Sequence, residues 1–216
     1  MHPAHQQYQP VVLQRPPIAP VRPDLIAIVG FGNRASVLAA PATAAAPTIT
    51  QVIQNVIPSQ SDGLGGGTNI AAGLRVAGSL LRNAPKGFRR RAWLLSDGMP
   101  NCEENEIFPQ LQLLTSQYVN VNTIAFGNDA DVKLLQRIAA ATHNGRYFQV
   151  NDLAALTRAF VGSQPHHHSI ATKPELTVYV IDKSGSMWDP MGTSKKIDIV
   201  QQALLNLVHY KKQLFS

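Results

Sequence analysis

Near the end of the chain, Leu176-Thr177-Val178-Tyr179-Val180-Ile181 sets six β-prone residues in a row with no charge among them, and the run stops at Asp182. An apolar run of this kind reads as a strand buried on both faces, as found in the middle of a parallel sheet. The chain then turns polar at once. Asp182, Ser184 and Ser186 follow each other at i, i+2 and i+4 on the loop where the strand ends, and open α/β sheets bind their ligands at that edge. Hard oxygen donors placed this way suit a hard divalent cation such as Mg²⁺.

The upstream chain supplies the neighbours such a strand needs. Asp24 to Phe31 reads as a buried strand, and Ala35 to Ala39 as a shorter one joined to it through Gly30-Phe31-Gly32-Asn33-Arg34, with Pro41 and Pro47 breaking the next segment. Further strands are expected at Arg91–Ser96, Val119–Phe126, Arg146–Val150 and 176–182. Helices are expected at Thr48–Ile57, Asn69–Leu81, Ile107–Tyr118, Asp131–Ala141, Leu153–Val161 and Lys195–Lys212. Strand–helix alternation of this kind demands a mostly parallel sheet with helices on both sides.

Two glycine clusters invite nucleotide readings, and neither completes its pattern. Gly30-x-Gly32-x-x-Ala35 matches a loose dinucleotide fingerprint, but no helix starts there and no acidic residue lies near residues 50–56, so a hairpin turn fits better. Gly65-Gly66-Gly67-Thr68 lacks the lysine of a phosphate-binding loop. Its glycines instead let backbone pass close to the Asp182 loop, and Thr68 is placed to start the helix Asn69–Leu81.

The Asp182-x-Ser184-x-Ser186 run resembles the first motif of the metal-ion-dependent adhesion site of von Willebrand factor type A domains. That family completes the site with a Thr in a Gly-rich loop and an Asp at a strand end. Here these are Thr68, after Gly65-Gly66-Gly67, and Asp97, at the end of Trp93-Leu94-Leu95-Ser96-Asp97. Both precede the first motif, whereas the family places that motif first. The chain therefore looks like a circularly permuted member. The resemblance implies an α/β fold: a Rossmann-like, doubly wound, mostly parallel six-stranded sheet with one antiparallel edge strand and helices on both faces. It implies that Ser184, Ser186 and Thr68 offer hydroxyl oxygens to Mg²⁺ (or Mn²⁺ or Ca²⁺), with Asp182 and Asp97 bound directly or through water. The function it implies is a non-enzymatic, metal-dependent protein-binding module whose ion takes an Asp or Glu carboxylate from a partner protein.

At 216 residues the chain is expected to form one domain, with 24–162 carrying strands 2–6 and their helices, 163–174 a linker, and 175–216 strand 1 and helix 1. Twelve linker residues span roughly 40 Å when extended, ample to join the two ends of a compact domain. Residues 1–23 read as a proline-rich, largely unstructured tail. His166-His167-His168 reads as part of a spacer, because neighbours in an extended segment do not readily converge on one ion. The single Cys102 excludes an internal disulfide. No run of about 18 apolar residues suggests a membrane span and no secretory signal is visible, so a cytoplasmic setting is expected.

The net charge of +6 includes the Arg89-Arg90-Arg91 triplet, expected as a solvated loop ahead of its strand. Without interleaved aromatics it does not read as a nucleic-acid patch. Two alternatives stand beside the binding module. One is a scaffold that assembles by exchanging the 175–216 segment, leaving the chain either a monomer or a strand-exchanged oligomer. The other is a metal-dependent phosphotransferase or hydrolase using Asp182. Aspartyl-phosphate enzymes commonly carry an acid two residues after the nucleophile, where Ser184 stands here.

Overall fold

A computed structural model describes residues 22–60, 62–162 and 173–214. The expected tail over 1–23 and linker over 163–174, with its three histidines, therefore lie mostly outside the described residues.

Six strands form one sheet: β1 (Leu25–Phe31), β2 (Ala35–Thr43), β3 (Arg89–Ser96), β4 (Asn120–Phe126), β5 (Tyr147–Val150) and β6 (Glu175–Asp182), in the spatial order β2-β1-β6-β3-β4-β5. All neighbours are parallel except β2, which runs antiparallel along one edge. This is the mostly parallel, six-stranded α/β arrangement expected. The last of the six strands in sequence occupies the middle: β6 pairs with β1 from Leu25↔Leu176 to Phe31↔Asp182 and with β3 from Arg89↔Glu175 to Leu95↔Ile181. All eight of its residues are buried, as its uncharged run demands.

Alternation along the strands splits the core into two layers. Ile26, Ile28, Trp93, Leu95, Tyr179 and Ile181 point to one face, under α1 (Pro47–Gln51), α5 (Leu153–Gly162) and α6 (Lys196–Leu214). On that side Phe160 meets both Trp93 and Tyr179 edge-on, with ring centroids 5.7 and 5.2 Å apart. Val29, Phe31, Ala92, Leu94, Val178 and Val180 point to the other face, under α2 (Ile70–Arg82), α3 (Ile107–Ser116) and α4 (Val132–Ala140).

Four local expectations are corrected. The second strand does not end at Ala39 but runs through Pro41 to Thr43, which is possible because β2 is an edge strand whose outer backbone needs no ladder partner. The helix expected over Thr48–Ile57 is α-helical only to Gln51 and continues as a π-type turn over Val52–Val56. Thr68 does not cap α2; Asn69 does, its Oδ1 accepting from Ala72 N at 2.9 Å. The arginine triplet is not a loop but the first three residues of β3, where Arg91 donates to the buried Glu175 at 3.0 Å. Between β6 and α6, a 3₁₀ turn at Gly185–Trp188 and a small hairpin, β7 (Pro190–Met191) with β8 (Ser194–Lys195), fill a stretch too short for any periodic signal.

Candidate metal centre

Three loops meet at the end of the sheet where the parallel strands finish, and each brings polar atoms that the sequence singles out. Asp182 closes β6 and is fully buried. Its Oδ2 accepts from Ser96 Oγ at 2.6 Å and its Oδ1 from Ser184 N at 2.8 Å. The second contact folds the loop back on its own carboxylate and turns the Ser184 and Ser186 side chains to the same side, with their Oγ atoms 3.2 Å apart. Ser186 Oγ then donates to Asp97 Oδ1 at 2.8 Å. A continuous oxygen network thus runs from β6 to the end of β3, although its residues are far apart in sequence.

Thr68 reaches the same spot from the glycine loop. A methyl group placed on Gly98 would stand 3.6 Å from both Thr68 Oγ1 and Ser186 Oγ. Backbone and amide contacts hold that loop in place. Asn101 Oδ1 accepts from Thr68 N at 2.9 Å, Asn101 N donates to Thr68 O at 3.2 Å, and Gly185 N donates to Gly66 O at 3.0 Å. From the other side Asn33 Oδ1 accepts from Gly67 N at 2.9 Å. The loop packs so closely on the β1–β2 turn that a Cβ on Gly32 would lie 2.0 Å from Gly65 O. Gly65 itself holds φ +80, a left-handed backbone that glycine adopts without steric cost.

Electrostatics set the two aspartates apart. Burial pushes Asp182 up to about 7, and the charge of Asp97 adds to the rise, against hydrogen bonds from Ser96 and Ser184 that favour the carboxylate. Asp97 has its own countercharge: Lys196 Nζ lies 2.6 Å from its Oδ2 and 3.8 Å from Asp129 Oδ2. A second buried cation braces the approach to the glycine loop. Lys183, the residue between Asp182 and Ser184, donates to Val56 O and Ser59 O at 2.8 Å each and forms an ion pair with Asp62.

The structure thus brings Asp182, Ser184, Ser186 and Asp97 into one hydrogen-bonded set and places Thr68 beside it. Sequence reasoning missed Ser96, Asn101, Lys183 and Lys196. Ser96 adjoins Asp97 and could have been found by that adjacency. Lys196 stands next to Lys195 in the sequence, and nothing local marks it as buried.

The donors fit a small, hard divalent ion. All five groups offer oxygen, the donor that such an ion prefers; among the described residues no group of three or more His, Cys, Asp or Glu that could hold a metal ion is found.

Comparison with known proteins agrees with the architecture. The family described as the von Willebrand factor type A domain matches residues 20–161. That span includes Thr68 and Asp97 and ends before β6. No curated protein matches the chain. Solved structures that resemble it include the crystal structure of an uncharacterized membrane spanning protein from Vibrio fischeri. It is 22% identical, with 66% of this chain and 77% of that one covered, at a TM-score of 0.33.

Proposed function

The chain belongs to the von Willebrand factor type A family, and from that premise we propose that it is a divalent-metal-dependent protein-binding module with a circularly permuted metal-ion-dependent adhesion site. Domains of this family commonly mediate protein–protein interaction. The observation that carries the finer reading is the unbroken contact from Ser184 Oγ through Ser186 Oγ to Asp97 Oδ1. It joins the two motifs that lie in inverted order in the sequence. The position of β6 between β1 and β3, outside the span that the family matches, supports the permutation.

In this reading Asp182, Ser184, Ser186, Thr68 and Asp97 hold Mg²⁺, with Mn²⁺ and Ca²⁺ as substitutes. Bound there, the ion supplies an electrophilic site for an anionic oxygen, an Asp or Glu carboxylate of a partner protein. Ser96 and Ser184 N fix the Asp182 carboxylate. Asn101 fixes the height of Thr68, and Lys196 balances Asp97. The phosphotransferase alternative lacks the acid two residues after the nucleophile, where Ser184 stands.

Calorimetric titration with Mg²⁺ and Mn²⁺, for the chain and for Asp97→Ala, tests the metal. Selection from a displayed peptide library in Mg²⁺, eluted with chelator, tests the partner. The reading expects eluted peptides that share an Asp or Glu, and it fails if chelator elutes none. Thr68→Ala is expected to weaken peptide binding more than Mg²⁺ binding.

A second reading rests on the central place of β6. A copy of 175–216 from another chain would fill the same slot and give a strand-exchanged oligomer. Light scattering across a hundredfold range of concentration separates the two, since a self-closed chain stays at the monomer mass.

A further inference from the structure

Charge in this molecule is sorted by end. Five of the six sheet strands run parallel, so their first residues, and the last turns of the helices that lead back to them, share the end of the sheet opposite Thr68, Asp97 and Ser184. Among the described residues only Asp24 and Glu175 bring acid to that end, and both are buried and neutralised. Lys211 Nζ lies 2.7 Å from Asp24 Oδ2, and Arg91 lies 3.0 Å from Glu175 Oε2. The other acids stand on loops or first helical turns towards the opposite end, as Asp62, Asp129, Asp189 and Glu103 do.

Six further bases at this end are exposed, and one of them, Arg89, lies 3.9 Å from Glu175 Oε2. Arg82 closes α2, Lys86 follows it, Arg89 opens β3, Arg146 immediately precedes β5, Lys173 precedes β6, and Lys212 lies in the last turn of α6. Arg22 adds a further cation, held 4.7 Å over the Phe88 ring and donating to Lys86 O at 3.2 Å. A cavity of about 330 Å³ lies among Arg89, Arg90, Arg91, Lys173, Tyr118 and the buried Glu175. Tyr118 is 79% exposed and adopts φ +56, unusual for so large a residue, which sets an amphipathic ring at the rim of the basic end.

We propose that this end docks on an anionic lipid surface, which would leave the oxygen-lined site at the far end of the sheet facing away from the bilayer. A membrane presents negative charge over the whole width of such an end at once, and attraction grows with the number of bases brought within a Debye length of it. A ring like that of Tyr118 suits the headgroup level. A nucleic acid would be expected to find a groove with successive stacking aromatics, whereas here Tyr118, stacked on the His143 ring at 6.4 Å, is the one strongly exposed Phe, Tyr or Trp among the described residues. The proposal is independent of whether metal binds.

Cosedimentation of the full chain with vesicles tests it. At about 0.1 M salt, binding is expected to vesicles of phosphatidylcholine mixed with phosphatidylglycerol, not to phosphatidylcholine alone, and to vanish at several times that salt. Each exposed base contributes about fivefold to partitioning. The triple variant Lys86→Gln, Arg146→Gln, Lys173→Gln is therefore expected to bind about a hundredfold more weakly. Lys133→Gln with Lys195→Gln, which removes two exposed bases from the opposite end, is expected to bind as before, and chelator to have no effect. The proposal is overturned by equal binding to neutral vesicles, by equal losses in the two variants, by a requirement for Mg²⁺, or by displacement from vesicles with an equimolar single-stranded oligonucleotide.

Discussion

Lys196 Nζ stands 2.6 Å from Asp97 Oδ2, with both side chains almost fully withdrawn from solvent. A buried ion pair of this kind contributes little beyond its own desolvation, but removing one member strands the other. Here the stranded partner would be the carboxylate that also accepts from Ser186. The lysine therefore keeps the site neutral on one side and competes with any second cation for Asp97.

Lys196→Met is accordingly expected to lower stability in chelator by about 3–5 kcal/mol. Added Mg²⁺ should recover more stability in this variant than in the unaltered chain, because the competing ammonium is gone. Thermal melts with and without Mg²⁺ check both halves; a smaller metal response in Lys196→Met would mean that the lysine assists the ion.

Asp182 makes stability depend on pH in a direction opposite to most carboxylates. Its folded value, about 7, lies above its ordinary value of 3.8, so the folded state retains a proton that the unfolded chain has lost. Without metal, the contribution of Asp182 to stability should be greatest below about pH 4, fall between about 4 and 7, and level off above that. Asp182→Asn should flatten this part of the profile in denaturant titrations. Mg²⁺ affinity should move the other way, rising with pH to about 7, since the proton and the ion compete for one carboxylate.

Asn101 holds Thr68 through that residue's main chain: Asn101 Oδ1 accepts from Thr68 N and Asn101 N donates to Thr68 O. Asn101→Ala should weaken Mg²⁺ binding about tenfold, as loss of an outer partner typically does. Calorimetry reads the affinity, and a melt in chelator should show a cost of only about 1 kcal/mol.

At the opposite end of the sheet, Asp24 accepts from Lys211 Nζ at 2.7 Å and from Glu175 N at 2.9 Å, tying β1, β6 and α6 together. Asp24→Ala should cost about 3–5 kcal/mol while leaving the Mg²⁺-induced rise in melting temperature intact. A lost metal response would show that the two ends are coupled through β6.

Patterns with a physical period were legible in the sequence. The uncharged run at 176–181 announced a strand buried on both faces, and the oxygen-bearing residues at its end could be named because strand ends gather ligands in this class of sheet. Features that depend on position in the sheet were not. Pro41 reads as a breaker until β2 is known to be an edge, and Arg91 reads as solvated until β3 is seen beside Glu175. Thr68 and Asn69 are equally good helix caps on paper; only the packing of the glycine loop on Gly32 and Asn33 decides between them. Lys196 was the most hidden, since a lysine next to a lysine gives no local sign that one of them meets a buried carboxylate some hundred residues earlier.

The place of β6 also has a consequence in time. Residues 24–162 leave the ribosome with a slot between β1 and β3, and neither strand gains its inner neighbour until the 175–182 stretch is made. Every pairing that β6 makes is long-range, so closure of the sheet is a late and slow event. The same feature offers a cut point: residues 22–162 and a synthetic 173–214 segment, mixed in solution, are expected to reassemble into one folded body, turning the final step of folding into a bimolecular reaction whose rate can be set by dilution.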